Sequence, residues 1–255
     1  MTDVLAGGVP LSYLDLGAGA PILVLHGAGG LPPDAPFLGG LAKHGRVIAP
    51  THPGFGRAEL PDWIDSIDDL AYIYLDLLDA LDLHDVTVIG FSLGGWIAAE
   101  IATKSTARIA RLILVDAVGI KISDRLTRDV TDIFATEPAE LLRLTFHDPS
   151  KAPDLSALSD EAVELIARNR EASALYTWEP YAHNPKLVRR LHRIDVPVLL
   201  LWGESDGIVT PAYGRAYAER IPGARFEVIA GAGHVPQIEQ PEAFVASVAR
   251  FLGER

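Results

Sequence analysis

Six short apolar runs, residues 22–25, 47–49, 86–89, 112–115, 198–202 and 226–229, recur along the chain with helical periodicities between them. Runs this short and this continuously apolar read as strands buried on both faces. Their alternation with helices implies a mostly parallel sheet between two helical layers. The pattern is clearest between the second and third runs, where Ile67, Leu70, Ala71, Tyr74, Leu75, Leu78 and Leu81 share one helical face. Ser66 is placed to cap that helix, with Asp69 in its first turn. Residues 11–16 and the start of the chain read as antiparallel edge strands.

The rhythm breaks between residues 118 and 191. Residues 125–135, 138–145 and 160–176 read as helices there, separated by turn signals at Asp148-Pro149 and Pro153-Asp154. The pattern predicts a core formed by residues 1–117 and 192–255, with a helical cap over 118–191 inserted between two strands. Phe134, Phe146, Tyr176, Trp178 and Tyr181 either line a pocket beneath this insertion or pack it onto the sheet.

A chain of 255 residues with 49% apolar content is long enough for one substantial core. Its formal net charge of −12 argues against nucleic acid, which requires clustered Lys and Arg. The one basic cluster, residues 189–193, reads as a solvated face. The chain has no cysteine, which excludes disulfides, thiolate catalysis and Cys-type zinc sites. Its start carries Asp3 and a Gly-Gly-Val-Pro turn rather than a basic segment leading into an apolar one, and no run reaches membrane-spanning length. The expectation is a soluble cytoplasmic protein with a small-molecule partner and neither nucleic acid nor membrane; its oligomeric state is open.

Ser92 sits in Gly90-Phe91-Ser92-Leu93-Gly94, directly after one apolar run and directly before a helix-like stretch. A serine raised on so sharp a turn is exposed for attack, and glycines two residues either side allow close backbone approach. A serine hydroxyl needs a base to take its proton, and an imidazole base needs an acid to hold its tautomer. Asp206 follows the strand at 198–202 within Gly203-Glu204-Ser205-Asp206-Gly207, and His234 follows the strand at 226–229 in Gly231-Ala232-Gly233-His234. Ser, Asp, His is the chain order used on this sheet architecture, whose strand ends bring distant loops together. Asp116, at the end of the run at 112–115, and Glu204 compete for the acid role. Asp206 is preferred because its glycine-flanked turn leaves the side chain free to reach the imidazole, whereas Asp116 could brace the entrance to the insertion. His52, among turn-forming residues, reads as structural. Of the two donors an oxyanion needs, one is the Leu93 N–H, and the other comes from the loop His26-Gly27-Ala28-Gly29-Gly30. That loop lacks the spacing of a nucleotide-binding loop.

With these motifs the chain resembles the α/β-hydrolase family, in particular its small capped members. They share His-Gly after the third strand, Pro53-Gly54-Phe55-Gly56 after the fourth, the serine elbow, Gly-Glu-x-Asp, Gly-x-Gly-His and Glu239-Gln240-Pro241-Glu242. The resemblance covers nearly the whole chain. It implies the α/β-hydrolase fold, an eight-stranded sheet with a helical cap inserted after the sixth strand, and it implies Ala28 as the second oxyanion donor. It leaves the reaction open among esterases, lactonases, carbon–carbon hydrolases and non-enzymatic receptors. Ser92 argues against the branches that use a carboxylate nucleophile. Carbon–carbon hydrolases usually carry Asn before the serine and Trp after the histidine, where Phe91 and Val235 stand here. The expected activity is therefore hydrolysis of a small to medium, largely apolar carboxylic ester or lactone, with no metal or cofactor. The alternatives are carbon–carbon cleavage of a ring-fission product, with Arg168 or Arg170 holding a substrate carboxylate, or ligand binding on a hydrolase scaffold.

Overall fold

The computed structural model describes residues 1–124, 126–154 and 157–254. Eight strands form one sheet: β1 (Thr2–Ala6), β2 (Val9–Leu16), β3 (Pro21–Leu25), β4 (Arg46–Pro50), β5 (Val86–Phe91), β6 (Ile109–Val115), β7 (Val198–Gly203) and β8 (Arg225–Ile229). Their order is β1-β2-β4-β3-β5-β6-β7-β8. The hairpin β1–β2 and the β2–β4 pair are antiparallel and the other five pairings parallel. The six apolar runs are the six parallel strands, and the eight-stranded expectation holds.

Alternation along each strand divides the core in two. Leu23, Leu25, Leu112, Leu114, Leu200 and Trp202 face one layer, which holds α2 (Ile67–Ala80), α3 (Leu93–Lys104) and α6 (Pro211–Ala218). Ile22, Val24, Ile113, Val115, Leu199 and Leu201 face the other, which holds α1 (Pro36–Leu41) and the last helix, α8 (Pro241–Leu252). Both faces of the central strands are dry, which is why these runs are apolar at consecutive positions. The start of α2 is a reciprocal cap: Ser66 Oγ accepts the Asp69 N–H and the Asp69 carboxylate accepts the Ser66 N–H. Such a pair contributes on the order of 1 kcal/mol.

Between β6 and β7 the chain leaves the sheet and forms α4 (Pro138–Thr145) and α5 (Asp160–Thr177), close to the expected helices. The helix expected over 125–135 does not form. Arg125 lies outside the described residues, and from Leu126 onward the chain runs in bends and turns. Aspartate side chains hold this segment and its approach in turns by accepting backbone amides. Asp124 accepts the N–H groups of Leu126 and Thr127, Asp129 those of Ile122 and Ser123, and Asp132 those of Phe134 and Ala135. The basic cluster at 189–193 lies in two short 3-10 turns, Leu187–Arg189 and Leu191–Arg193. Among the described residues, no helix is long and apolar enough to cross a membrane.

Candidate active site

The turn between β5 and α3 places Ser92 at the carboxyl edge of the sheet with φ 49° and ψ −109°, a region that non-glycine residues rarely occupy. The chain holds it there by close backbone approach. A Cβ on Gly94 would lie 2.1 Å from the Leu25 carbonyl oxygen, and one on Gly90 would lie 2.3 Å from that of Gly94. Ser92 also gives its backbone N–H to Val115 O at 2.8 Å.

His234 and Asp206 meet Ser92 from two other loops. His234 Nε2 lies 3.0 Å from Ser92 Oγ, and His234 Nδ1 lies 2.8 Å from Asp206 Oδ2. Asp206 is buried, and its Oδ1 accepts the N–H groups of Ile208 at 2.8 Å and Val209 at 2.9 Å. Three donors therefore converge on one carboxylate, which fixes its rotamer. Of the three candidate acids, Asp206 is the one bonded to His234 Nδ1. Glu204 is exposed and accepts the Gly231 N–H. Asp116 is buried beside the pair, with Oδ1 accepting the Gly203 N–H at 2.9 Å.

Leu93 is the first residue of α3, so its N–H has no intrahelical acceptor. Ala28 and Leu93 both line the cavity that holds Ser92, and neither N–H donates to an acceptor among the described residues. The loop carrying Ala28 is fastened by α5. Ser173 Oγ donates to Ala28 O at 3.0 Å, Asn169 Nδ2 donates to Gly29 O at 2.8 Å, and Asn169 Oδ1 accepts the Gly56 N–H at 2.7 Å. The other inserted helix, α4, fastens the opposite side: Leu144 O accepts the Gly207 N–H at 2.9 Å and Thr145 O accepts the His234 N–H at 2.7 Å. Glu239, at the end of α7 (Pro236–Glu239), is buried and accepts three amides, those of Gly233, His147 and Asp148. Asn169 and Ser173 escape a reading of motifs because each acts on backbone far away in the chain, whereas Glu239 stands in the Glu239-Gln240-Pro241-Glu242 motif and its amide-accepting part does not show there.

A cavity of about 680 Å³ opens over Ser92. Phe134, Phe146 and Tyr181 line it, whereas Tyr176 packs against Phe55 and bonds Pro53 O, and Trp178 is exposed. Among the described residues, Arg170 and Lys151 are its two lysine or arginine residues, while Arg168 is exposed and reaches Ala58 O instead. His52 is fully buried, as a structural residue would be.

Comparison with known proteins gives one consistent answer. The model described as the alpha/beta hydrolase family matches residues 22–247. A 2-hydroxy-6-oxo-2,4-heptadienoate hydrolase of Pseudomonas putida F1 is 31% identical over 98% of this chain and 95% of its own length. A solved meta-cleavage product hydrolase is 25% identical, covers 100% of this chain and 98% of its own, and superposes with a TM-score of 0.79. The enol-lactonase of Burkholderia xenovorans LB400 shares the fold, with 24% identity, 99% of this chain, 100% of its own and a TM-score of 0.79.

Proposed function

This chain belongs to the alpha/beta hydrolase family, and on that premise we propose that it is a serine hydrolase cleaving a small to medium, largely apolar carboxylic ester or lactone. That it is a hydrolase of small molecules follows from the family; the bond and the residue roles are the proposal. The observation that carries it is the chain of contacts Ser92 Oγ, His234 Nε2, His234 Nδ1 and Asp206 Oδ2, with spacings of 3.0 and 2.8 Å.

In this reading His234 takes the Ser92 proton as Oγ attacks the carbonyl carbon, and Asp206 holds the imidazole tautomer and stabilises the imidazolium. The N–H groups of Ala28 and Leu93 receive the oxyanion without reorganisation. His234 then protonates the departing alcohol, water enters, and the acyl-enzyme is hydrolysed by the same steps. Residues 118–191 act as a cap that roofs the cavity and excludes water. The chemistry calls on no metal or cofactor. The test is steady-state turnover of p-nitrophenyl esters of increasing acyl length by wild type and Ser92→Ala. Serine-dependent multiple turnover supports the reading, and turnover that survives the substitution in a clean preparation sinks it.

A second reading, cleavage of a carbon–carbon bond in a ring-fission product, is favoured by Arg170 and Lys151 in the cavity wall, where either can receive a substrate carboxylate. The relative from Pseudomonas putida carries a name of that class. Against it stand Phe91 and Val235, which flank Ser92 and His234 in place of the Asn and Trp usual in that branch.

A further inference from the structure

Asp116 ends β6 with φ 45°, and its side chain is almost completely buried, at 1% exposure. Its Oδ1 accepts one amide, from Gly203, while Oδ2 meets no donor among the described residues. What the carboxyl does face is another carboxyl: an oxygen of Asp116, an oxygen of Asp206 and a ring nitrogen of His234 all lie within 4.8 Å of one another. Asp206 and His234 are the titratable groups that face it. Two like charges this close, both sealed from water, are not retained together, and one of the pair keeps its proton. Donor count decides which. Asp206 accepts from Ile208, Val209 and His234, whereas Asp116 accepts from Gly203 alone, so the anion resides on Asp206.

We propose that Asp116 is a neutral carboxylic acid whose O–H donates to the Asp206 carboxylate, making it a positioning residue for the acid that orients His234. The inference rests on the Ser92–His234–Asp206 reading given above. It gives the orphaned oxygen a partner, and it agrees with the push on the Asp116 carboxyl well above the usual carboxylate range by burial, then by the Asp206 charge. The hydrogen bond locks the rotamer that aims Oδ2 at His234 and draws charge out of the carboxylate.

Asp116→Asn and Asp116→Ala separate this role from the alternatives. Asn keeps both a donor toward Asp206 and an acceptor for Gly203, so kcat/KM stays within roughly threefold of wild type and its acid limb does not move. Ala removes the donor: kcat falls roughly 10- to 100-fold with KM little changed. Loss in the Asn variant as deep as in the Ala variant overturns the proposal, because it means that Asp116 works as an anion. So does an Ala variant indistinguishable from wild type. Infrared difference spectra of wild type against Asp116→Asn at neutral pH supply a readout independent of turnover. The protonated-carboxyl stretch is present in wild type and lost in the variant, and its absence from wild type refutes the protonated state. If Ser92→Ala leaves turnover intact, the serine-hydrolase reading fails, while the infrared result still decides the state of Asp116.

Discussion

His52 donates from Nε2 to the carbonyl oxygen of His26 at 2.9 Å, and its backbone N–H donates to Nε2 of His26 at 3.0 Å. The second bond settles the His26 tautomer: Nε2 accepts, so the proton sits on Nδ1 and is given to Gly27 O at 2.8 Å. Gly27 O also takes the Gly30 N–H at 3.0 Å. A trans peptide points its C=O and N–H in opposite directions, so anchoring Gly27 O directs the Ala28 N–H away from the anchor. Tyr74 completes the set by donating its hydroxyl to His52 Nδ1. Both rings are fully buried and neutral.

This arrangement predicts acid lability. Burial, only partly offset by the bond to Gly27, pushes His26 down to about 4, and burial followed by the neighbouring His26 holds His52 well below the usual imidazole range. The unfolded chain binds these protons near pH ~6.5 and the folded chain does not. The stability is therefore complete above about pH 6.5 and is lost as pH falls toward 4, at up to about 1.4 kcal/mol per pH unit for each imidazole. Urea midpoints measured between pH 7.5 and 4.5 check this; a flat profile removes the pair from the account.

Gly94→Ala is expected to destabilise the fold by roughly 3 kcal/mol or more, because both nearest obstacles, the Leu25 and His26 carbonyl oxygens, are backbone. Gly29→Ala is the control: nothing lies within 4 Å of the added carbon, and the melting temperature should stay near that of wild type. Thermal melts of the two variants side by side decide the matter. Equal behaviour contradicts the close-approach explanation of the elbow.

Ser173→Ala leaves the Ala28 carbonyl without its partner on α5. The expected cost is about 1–3 kcal/mol in stability. Because the loop that carries the oxyanion donor is loosened, kcat should drop about tenfold with a smaller change in KM. A variant that loses stability while keeping full kcat shows that this bond fastens the insertion without tuning the loop.

Arg170→Leu discriminates between the two substrate classes. Its guanidinium lies 5.4 Å from the centre of the Phe134 ring within the cavity wall. Turnover of neutral esters is expected to change less than threefold. Substrates bearing a carboxylate should lose roughly 10- to 100-fold in kcat/KM if the arginine receives that group. Equal effects on both panels place Arg170 in packing alone.

The layers of this molecule were legible in its sequence because Leu112 to Val115 and Val198 to Trp202 are apolar at successive positions, a pattern that only a strand covered on both faces sustains. The meeting of Ser92, Asp206 and His234 was legible too, since each follows a strand and parallel strands end at one edge. Residues 126–135 were misread as helix because Asp132 captures the amides of Phe134 and Ala135, which holds that stretch in a turn, and Leu126 stands 93% exposed with no face to pack. The parts played by Asn169 and Ser173 had no local signature, because their partners are backbone groups that only tertiary packing brings near.

The two carbonyls that end α4 have a bearing on how such enzymes diversify. Because Leu144 O and Thr145 O receive the amides of Gly207 and His234, chimeras that exchange all of residues 118–191 between relatives remove both acceptors along with the pocket lining. Splice sites that keep residues 138–148 with the recipient preserve them. Substrate range can then be traded through the rest of the insertion, provided that Asn169 and Ser173 of α5, which hold Gly29 O and Ala28 O, also stay with the recipient.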